Sequence, residues 1–399
     1  MKRSIGDVVG SDLCLGCGAC ANGRGGARAM ELSSEGFLRP TDHDVLARTD
    51  ADDICPGISL AHARSDVRYH PLWGPVVSVR TGYANDAEIR YSGSSGGALS
   101  AFCIGLIETG KVEFVWHTKA DPDDPIGNRS GMSRNRAGII AAAGSRYGPS
   151  NPLADLEEAL ATNESFAFIG KPCDVAGLAK LAKLDPRIDR QIIYRMAFFC
   201  AGVPSRQSTI DLLGALRTNV DDVRTFRYRG DGWPGLARVV RKDGSTAAMD
   251  YNASWGGILN RGLQFRCKIC ADGTGEFADL SFADAWYGED GYPDFEERDG
   301  RSLIIARTAK GAELLNTLEE EGYFTSSPQD IESVEGMQPY QVHRKRSIFA
   351  RSVALRIVFK RAPVYLNFQL IRLCLGQSLK KNLQTGVGMA LRAVRKSAS

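Results

Sequence analysis

The stretch from Cys14 to Cys20 constrains this chain more than any other. It reads Cys-Leu-Gly-Cys-Gly-Ala-Cys, a C-x2-C-x2-C run, and Cys55-Pro56 follows after a long loop. Two residues between cysteines let one tight loop aim successive sulfurs at different irons of a cubane. Gly16 and Gly18 permit the turn and leave backbone N–H groups for the sulfides. In two-cluster ferredoxins a Cys-Pro cysteine ligates the other cluster. With a single run here, Cys55 is expected to complete the same cluster. The competing reading is structural zinc on four thiolates, which usually shows paired C-x2-C knuckles. The spacing favours a [4Fe–4S] cluster on Cys14, Cys17, Cys20 and Cys55.

A chain of 399 residues, 43% hydrophobic and 24% charged, has room for about two or three domains with a substantial core. Ten cysteines would suggest disulfides in a short secreted chain. Here the first residues lead into no apolar signal segment, and no apolar run reaches the roughly 18–20 residues that span a bilayer. A soluble protein in a reducing, cytoplasmic compartment is expected. The net charge of +3 hides an asymmetry. From Gly336 to Ser399 there are thirteen Lys and Arg and no Asp or Glu, which leaves residues 1–335 at −10.

Three regions are expected: a ferredoxin-like cluster module over 1–70, an α/β catalytic region over 71–330, and a basic, helical extension over 331–399. His43, His62 and His70 read as surface or turn residues, since four cysteines already suffice for the cluster. Pro71 and Gly74-Pro75 make a linker. Strands are expected at Val76–Val79, Val112–His117, Phe166–Ile169, Gln191–Phe199, Thr225–Tyr228, Ala237–Val240, Asp279–Phe282 and Ser302–Arg307. Helices are expected at Gly96–Thr109, Leu153–Ala161, Asp174–Leu184, after Ser205, and at Ala309–Glu320. The alternation predicts an α/β fold with a mixed, partly parallel sheet.

Three constellations carry chemistry. Ser94, Ser95, Gly96 and Gly97 lie in a glycine- and serine-rich loop opening a helix, a site for phosphate at a helix N-terminus or a plain helix cap. The loop fits neither the P-loop nor G-x-G-x-x-G, which disfavours nucleotide hydrolysis and an ordinary Rossmann site. Gly144-Ser145-Arg146-Tyr147 offers a hydroxyl, a guanidinium and a ring together. Cys173 follows Lys171-Pro172 at a strand-to-helix junction, Cys200 ends a strand, and Cys267 and Cys270 form a C-x2-C. Strand ends in an α/β sheet are where cofactors gather, so these four cysteines can converge. The alternative is a zinc knuckle at Cys267/Cys270 with two buried thiols. Cys103 and Cys374 are left as core or incidental.

Gly93-Ser-Ser-Gly-Gly97, Gly144-Ser-Arg-Tyr147, Gly170-Lys-Pro-Cys173, Phe199-Cys-Ala-Gly-Val-Pro-Ser205 and Cys267-Lys-Ile-Cys270 occur in that order. Together they resemble the beta subunit of coenzyme F420-reducing hydrogenase and its relatives, which include F420-dependent dehydrogenase subunits and 7-hydroxymethyl chlorophyll a reductase. The resemblance covers about residues 10 to 325. It implies FAD on the glycine-serine loop and the Gly-Ser-Arg-Tyr turn, and a second [4Fe–4S] cluster on Cys173, Cys200, Cys267 and Cys270. The chain departs from the family at Arg146 (usually Lys), Lys171 (commonly Thr), Ala201 (often His) and Ala283 (Gly before Asp284), which leaves the substrate undetermined.

The function these features imply is an iron–sulfur flavoprotein oxidoreductase. It would join a hydride-type donor or acceptor at FAD, F420 or similar, to one-electron carriers through two clusters, with a redox partner protein and a small-molecule substrate. An electron-transfer adaptor without a substrate of its own, and a zinc-stabilised module, are the alternatives. No catalytic side chain is singled out. Nucleic acid is disfavoured, since no binding motif accompanies the charge. In the basic extension Ser352, Arg356 and Lys360 share a helical face, yet Ile348, Phe349, Val353, Leu355, Ile357 and Phe359 run nearly all round it. That segment is therefore expected to pack on the acidic body; peripheral attachment to an anionic membrane or an acidic redox partner is the competing expectation.

Overall fold

A computed structural model of the chain describes residues 3–22, 29–41, 48–63, 67–288, 293–359 and 361–397. His43 and Lys360 lie outside the described residues. The centre is an eight-stranded sheet. Its strands, in chain order, are β1 (Ser78–Ala84), β2 (Phe114–Ala120), β3 (Asn128–Ser133), β4 (Phe166–Gly170), β5 (Ile192–Phe198), β6 (Leu280–Asp284), β7 (Ser302–Ala306) and β8 (Phe324–Pro328). The spatial order is β8-β1-β7-β6-β5-β4-β2-β3. The four middle strands β6, β5, β4 and β2 run parallel. Antiparallel pairing of β7, β1 and β8 on one side and β3 on the other completes a mixed sheet, as expected. Phe-Ala-Phe-Ile-Gly of β4 is buried throughout, the continuous apolar run of a strand covered on both faces. A separate three-stranded antiparallel sheet holds Val223–Arg227, Ala237–Arg241 and Thr246–Met249.

Six longer helices matter here: α1 (Ala98–Glu108), α2 (Pro172–Leu181), α3 (Arg206–Ala215), α4 (Ala309–Glu320), α5 (Pro339–Phe359) and α6 (Leu379–Ser397). α2 starts cleanly because Pro172 at its first position has no N–H to satisfy, and the Lys171 N–H donates to Asp174 Oδ2 at 2.9 Å. α1 and α4 cover one face through Phe102, Leu106, Leu314 and Leu318, which pack with Phe282 and Ile304 of the sheet. Burying each such side chain contributes about 1.5–3 kcal/mol.

The N-terminal stretch and the basic extension share a core with the sheet. Ile5, Val8 and Leu13 pack in one cluster with Phe166 and Phe168 of β4, Val175 and Leu178 of α2, Leu355 of α5, and Met389 and Ala393 of α6. Val364–Leu366 also pairs in parallel with Ser59–Ala61. The extension is thus woven back onto the first sixty residues. Among the described residues no helix is long and apolar enough to cross a membrane.

Candidate cofactor site

Cys14, Cys17, Cys20 and Cys55 line one small cavity, with Gly18, Pro56 and Gly57. Gly16 and Gly18 both have positive φ, at 71° and 83°. A side chain at Gly18 would stand 2.6 Å from the Ala154 backbone nitrogen, so only glycine brings this loop down on the body. The Gly16 N–H reaches the Cys14 sulfur at 3.4 Å. Burial raises the pKa of all four thiols, Cys55 to about 11, and neighbouring cysteines push Cys17, Cys20 and Cys55 further. Bare, these four groups are neutral at pH 7. They become thiolates only beside a cation such as a metal centre.

The second set comes from three places. Cys173 follows Pro172 at the start of α2, Cys200 lies two residues beyond β5, and Cys267 and Cys270 sit in and just after the tight helical turn Phe265–Ile269. The Val203 N–H donates to the Cys267 sulfur at 3.4 Å, and the Cys200 N–H donates to Gly273 O at 2.9 Å. Burial and then the Cys267 thiol push Cys200 up to about 12; Cys173 and Cys267 are raised as well. Cys173 is within electrostatic reach of both Cys200 and Cys17, one from each set. Among the described residues no three His, Cys, Asp or Glu side chains converge closely enough to hold a single metal ion.

Beside Cys200 opens a cavity of about 520 Å3. Its walls include Ser94, Ser95 and Gly97, then Gly144, Ser145, Arg146 and Tyr147, and at its back Lys171 and Cys200. The two motifs meet directly, for Ser145 Oγ donates to Ser94 Oγ at 2.8 Å. Gly96 is not on the wall. Its φ of 111° and the 2.9 Å that a Cβ would leave to Gly300 and Arg301 show a glycine required by the loop's own packing. Gly97 is alike, since a Cβ there would lie 2.5 Å from Ile89 O.

Arg146 is spent on the scaffold. It donates to Asn128 Oδ1 at 2.8 Å, Gly127 O at 2.6 Å and Phe226 O at 3.4 Å, anchoring its turn to the edge of the sheet. Lys171 is buried, with Nζ donating to Ser150 Oγ at 2.6 Å and Ser150 O at 3.1 Å and paired with Asp174 at 2.8 Å. Burial works against its charge, but Asp174 and then Cys173 more than compensate and raise its pKa.

The sequence reading missed the cavity's other end. Arg229, fully buried, makes a two-pronged pair with Asp284 at 2.6 and 2.9 Å, and Trp233 Nε1 donates to Asp284 Oδ1 at 2.7 Å. The Arg229 guanidinium sits 4.7 Å from the Tyr251 ring centre and 5.0 Å from that of Trp286. Tyr251, Trp286, Tyr147 and Trp255 thus form an aromatic panel in the wall. The one available signal was the density of Trp and Tyr between Tyr228 and Trp286. His117, hydrogen-bonded to Ser133 Oγ at 2.8 Å, is lowered to about 4 by burial and stays neutral. Cys103, expected to be core or incidental, is buried and also lines this wall. The start of α5 closes the remaining side: Gln341 Nε2 donates to Cys200 O at 3.2 Å, Tyr340 OH to Ala201 O at 3.1 Å, and Gln338 Nε2 to Asp284 O at 2.7 Å. Hydroxyls and amides at one end, flat rings at the other and a cysteine sulfur at the back suit a planar, phosphate-bearing molecule.

Comparison with known proteins follows the same outline. Residues 79–157 match the N-terminal part of the coenzyme F420 hydrogenase/dehydrogenase beta subunit, and residues 163–332 its C-terminal part. The chain is 24% identical over 364 residues to the coenzyme F420-dependent sulfite reductase of Methanocaldococcus jannaschii, a match covering 85% of this chain and 50% of that protein. The chain therefore spans about half the length of that relative. It is 27% identical over 248 residues to the coenzyme F420 hydrogenase subunit beta of Methanococcus voltae, covering 60% of this chain and 80% of that one. It is 22% identical over 338 residues to one subunit of the F420H2 dehydrogenase of Methanosarcina mazei, covering 82% and 89%. A chain of the F420-reducing [NiFe] hydrogenase complex from Methanosarcina barkeri shares the fold with a TM-score of 0.57 at 19% identity, covering 74% of this chain and 98% of that one.

Proposed function

Since the chain belongs to the family of coenzyme F420 hydrogenase/dehydrogenase beta subunits, we propose that it is an F420-linked oxidoreductase holding FAD and two [4Fe–4S] clusters. One observation carries the reading. Cys200 is at once a wall of the large cavity and a neighbour of Cys173, Cys267 and Cys270, while Cys173 also feels Cys17 of the other set. These adjacencies support an order of cavity, second set and first set, the order needed to split a hydride into single electrons and lead them out.

The residues present fit these groups. Seven of the eight thiols have pKa values raised by desolvation, and a cation such as an iron–sulfur cluster beside them would bring them to the thiolate form. Ser94 and Ser145 offer hydroxyls for a phosphate, and the panel of Tyr251, Trp255 and Trp286 offers a face for a flat ring. When bound, FAD would supply two-electron chemistry and the clusters one-electron transfer. The chain's own part is to seat the flavin, exclude water with the start of α5, and keep Arg229 neutralised by Asp284. Donor and acceptor are proposed by analogy with the relatives, as a reduced deazaflavin on one side and a ferredoxin-like protein or further subunit on the other.

The test is anaerobic purification with iron, zinc and flavin quantified. About eight irons per chain and saturable FAD are expected, with bleaching of the flavin by reduced F420. Stoichiometric zinc without broad visible absorption would overturn the reading. Full cofactors reduced by no small-molecule donor would convert it to an electron-transfer adaptor.

A further inference from the structure

The last helix, α6, carries a surface that the cofactor chemistry does not use. Met389 and Ala393 are its buried side, and Gly386 lies close to Ala350 and Ala354 of α5. Leu379, Leu383, Val387, Leu391 and Val394 point to solvent, between 54% and 74% exposed. At 3.6 residues per turn these five fall within about 120° of arc, a continuous apolar stripe. Leu375 at 79% and Ile371 at 58% extend it into the preceding short helix. Among the described residues, every large apolar side chain more than half exposed, save Tyr91, belongs to the stretch from Ile357 onward. A stripe this long is unusual on a solvent-facing helix.

Lys380, Lys381, Arg392 and Arg395 are exposed on the same helix, and no acidic residue occurs from Gly336 to the end. We propose that α6 is an interfacial helix that seats the chain on an anionic lipid surface, apolar stripe down and basic residues against the headgroups. Apolar insertion together with clustered lysines and arginines is what such helices require. A second copy of the chain fits poorly, because pairing two of these faces would bring basic flanks together with no acid on the helix itself to offset them. The sequence expectation had looked for this pattern around Ile348–Phe359. There Ile348 and Leu355 are buried while Ile357 is 76% exposed, so the segment carries no single apolar stripe.

The test is co-sedimentation of the cofactor-loaded full chain with vesicles of phosphatidylcholine containing a quarter phosphatidylglycerol, against pure phosphatidylcholine. Binding at least tenfold stronger to the anionic vesicles, and weakened by salt, is expected. The Leu383→Gln/Val387→Gln/Leu391→Gln variant should lose at least tenfold in binding while keeping wild-type iron content, visible spectrum and circular dichroism. Lys380→Gln/Lys381→Gln/Arg392→Gln should remove the salt dependence. Failure of the wild type to bind anionic vesicles would overturn the proposal. So would a wild-type dimer that the apolar variant dissociates, or unchanged vesicle binding by that variant. Recovery of α6 crosslinked to an acidic protein, with vesicles unable to compete, would assign the face to a protein partner instead.

Discussion

Lys345 of α5 and Glu276, six residues past Cys270, form an ion pair with neither side chain more than 5% exposed. Glu276 also accepts from Tyr69 OH at 2.7 Å and lies 2.9 Å from His62 Nε2. One carboxylate thus ties the first seventy residues, the segment after the C-x2-C and the C-terminal extension into a single knot. Burial alone would raise the Glu276 pKa, but the Lys345 charge and the bond to His62 more than reverse it, bringing it down to about 2 from an ordinary 4.5.

That depression fixes the sign of a pH effect. Stability from the knot is fully present above about pH 4.5 and drains away as pH falls toward 2. Lys345→Met leaves a buried carboxylate short of its main partner and should cost about 3–5 kcal/mol. Urea unfolding at pH 7 and at pH 3.5 should show a smaller gap between wild type and variant at the lower pH. An equal gap at both would show that the pair does not act this way.

Arg266 carries a second expectation. Its guanidinium is fully buried, donates to Ile269 O at 3.2 Å, and leaves Nε and one terminal nitrogen without a partner. It neighbours Cys267 and Cys270 and is felt by Cys14 of the other set. A unit charge about 8 Å away, at an effective dielectric of about 20, is worth about 2 kcal/mol, or roughly 90 mV for one electron. Arg266→Met should lower the midpoint potential of the nearer of the two proposed clusters by about that much, since it removes a charge favouring the reduced form. Arg266→Lys should restore most of it. A redox titration followed by electron paramagnetic resonance reads both, and an unshifted potential in Arg266→Met at full iron content would refute the assignment.

Gly177 of α2 offers a way to disturb one cysteine set and not the other. A Cβ there would stand 2.8 Å from Leu153 Cδ1 and 3.6 Å from the Cys17 sulfur. Gly177→Val should overpack the site at a cost of about 1–3 kcal/mol and displace Cys17. Iron should fall by up to half while flavin absorbance persists. Loss of flavin and iron together would mean that the helix as a whole had moved.

Cys200→Ser should remove the cluster signal of the second set and perturb the flavin, because Cys200 faces the large cavity. Cys374→Ser, in the short helix Leu370–Leu375 of the extension, should change neither. Retention of both cluster signals in Cys200→Ser would take that residue out of the set.

Much of the sheet could be read from the chain because its interior, non-edge strands include continuous apolar runs, as at Phe166–Gly170 and Ser302–Ala306. β3, Asn-Arg-Ser-Gly-Met-Ser, was not foreseen: it is an edge strand whose one neighbour is β2, and it needs little apolar character. β8, another edge, escaped for the same reason. That Cys14, Cys17, Cys20 and Cys55 come together around one cavity could be anticipated from the C-x2-C-x2-C run and its Cys-Pro. The Arg229–Asp284 pair could not, since 55 residues separate partners that only the fold brings together. The basic extension packs on the acidic body as its charge suggested, with Lys345 paired to Glu276 and Arg346 to Glu335, but its exposed apolar stripe lies on a helix the sequence reading did not single out.

The pairing of Ser59–Ala61 with Val364–Leu366 sets an order for biosynthesis. The two strands are separated by roughly 300 residues, which a ribosome adds in about 15–60 seconds at about 5–20 residues per second. Throughout that interval the segment just past Cys55 has an open edge, and the loop carrying Cys14, Cys17 and Cys20 lacks the α5 and α6 side chains that complete its core. Loading of the cluster proposed for the N-terminal cysteines would therefore be a late event, and until then the nascent thiols depend on the reducing power of their surroundings.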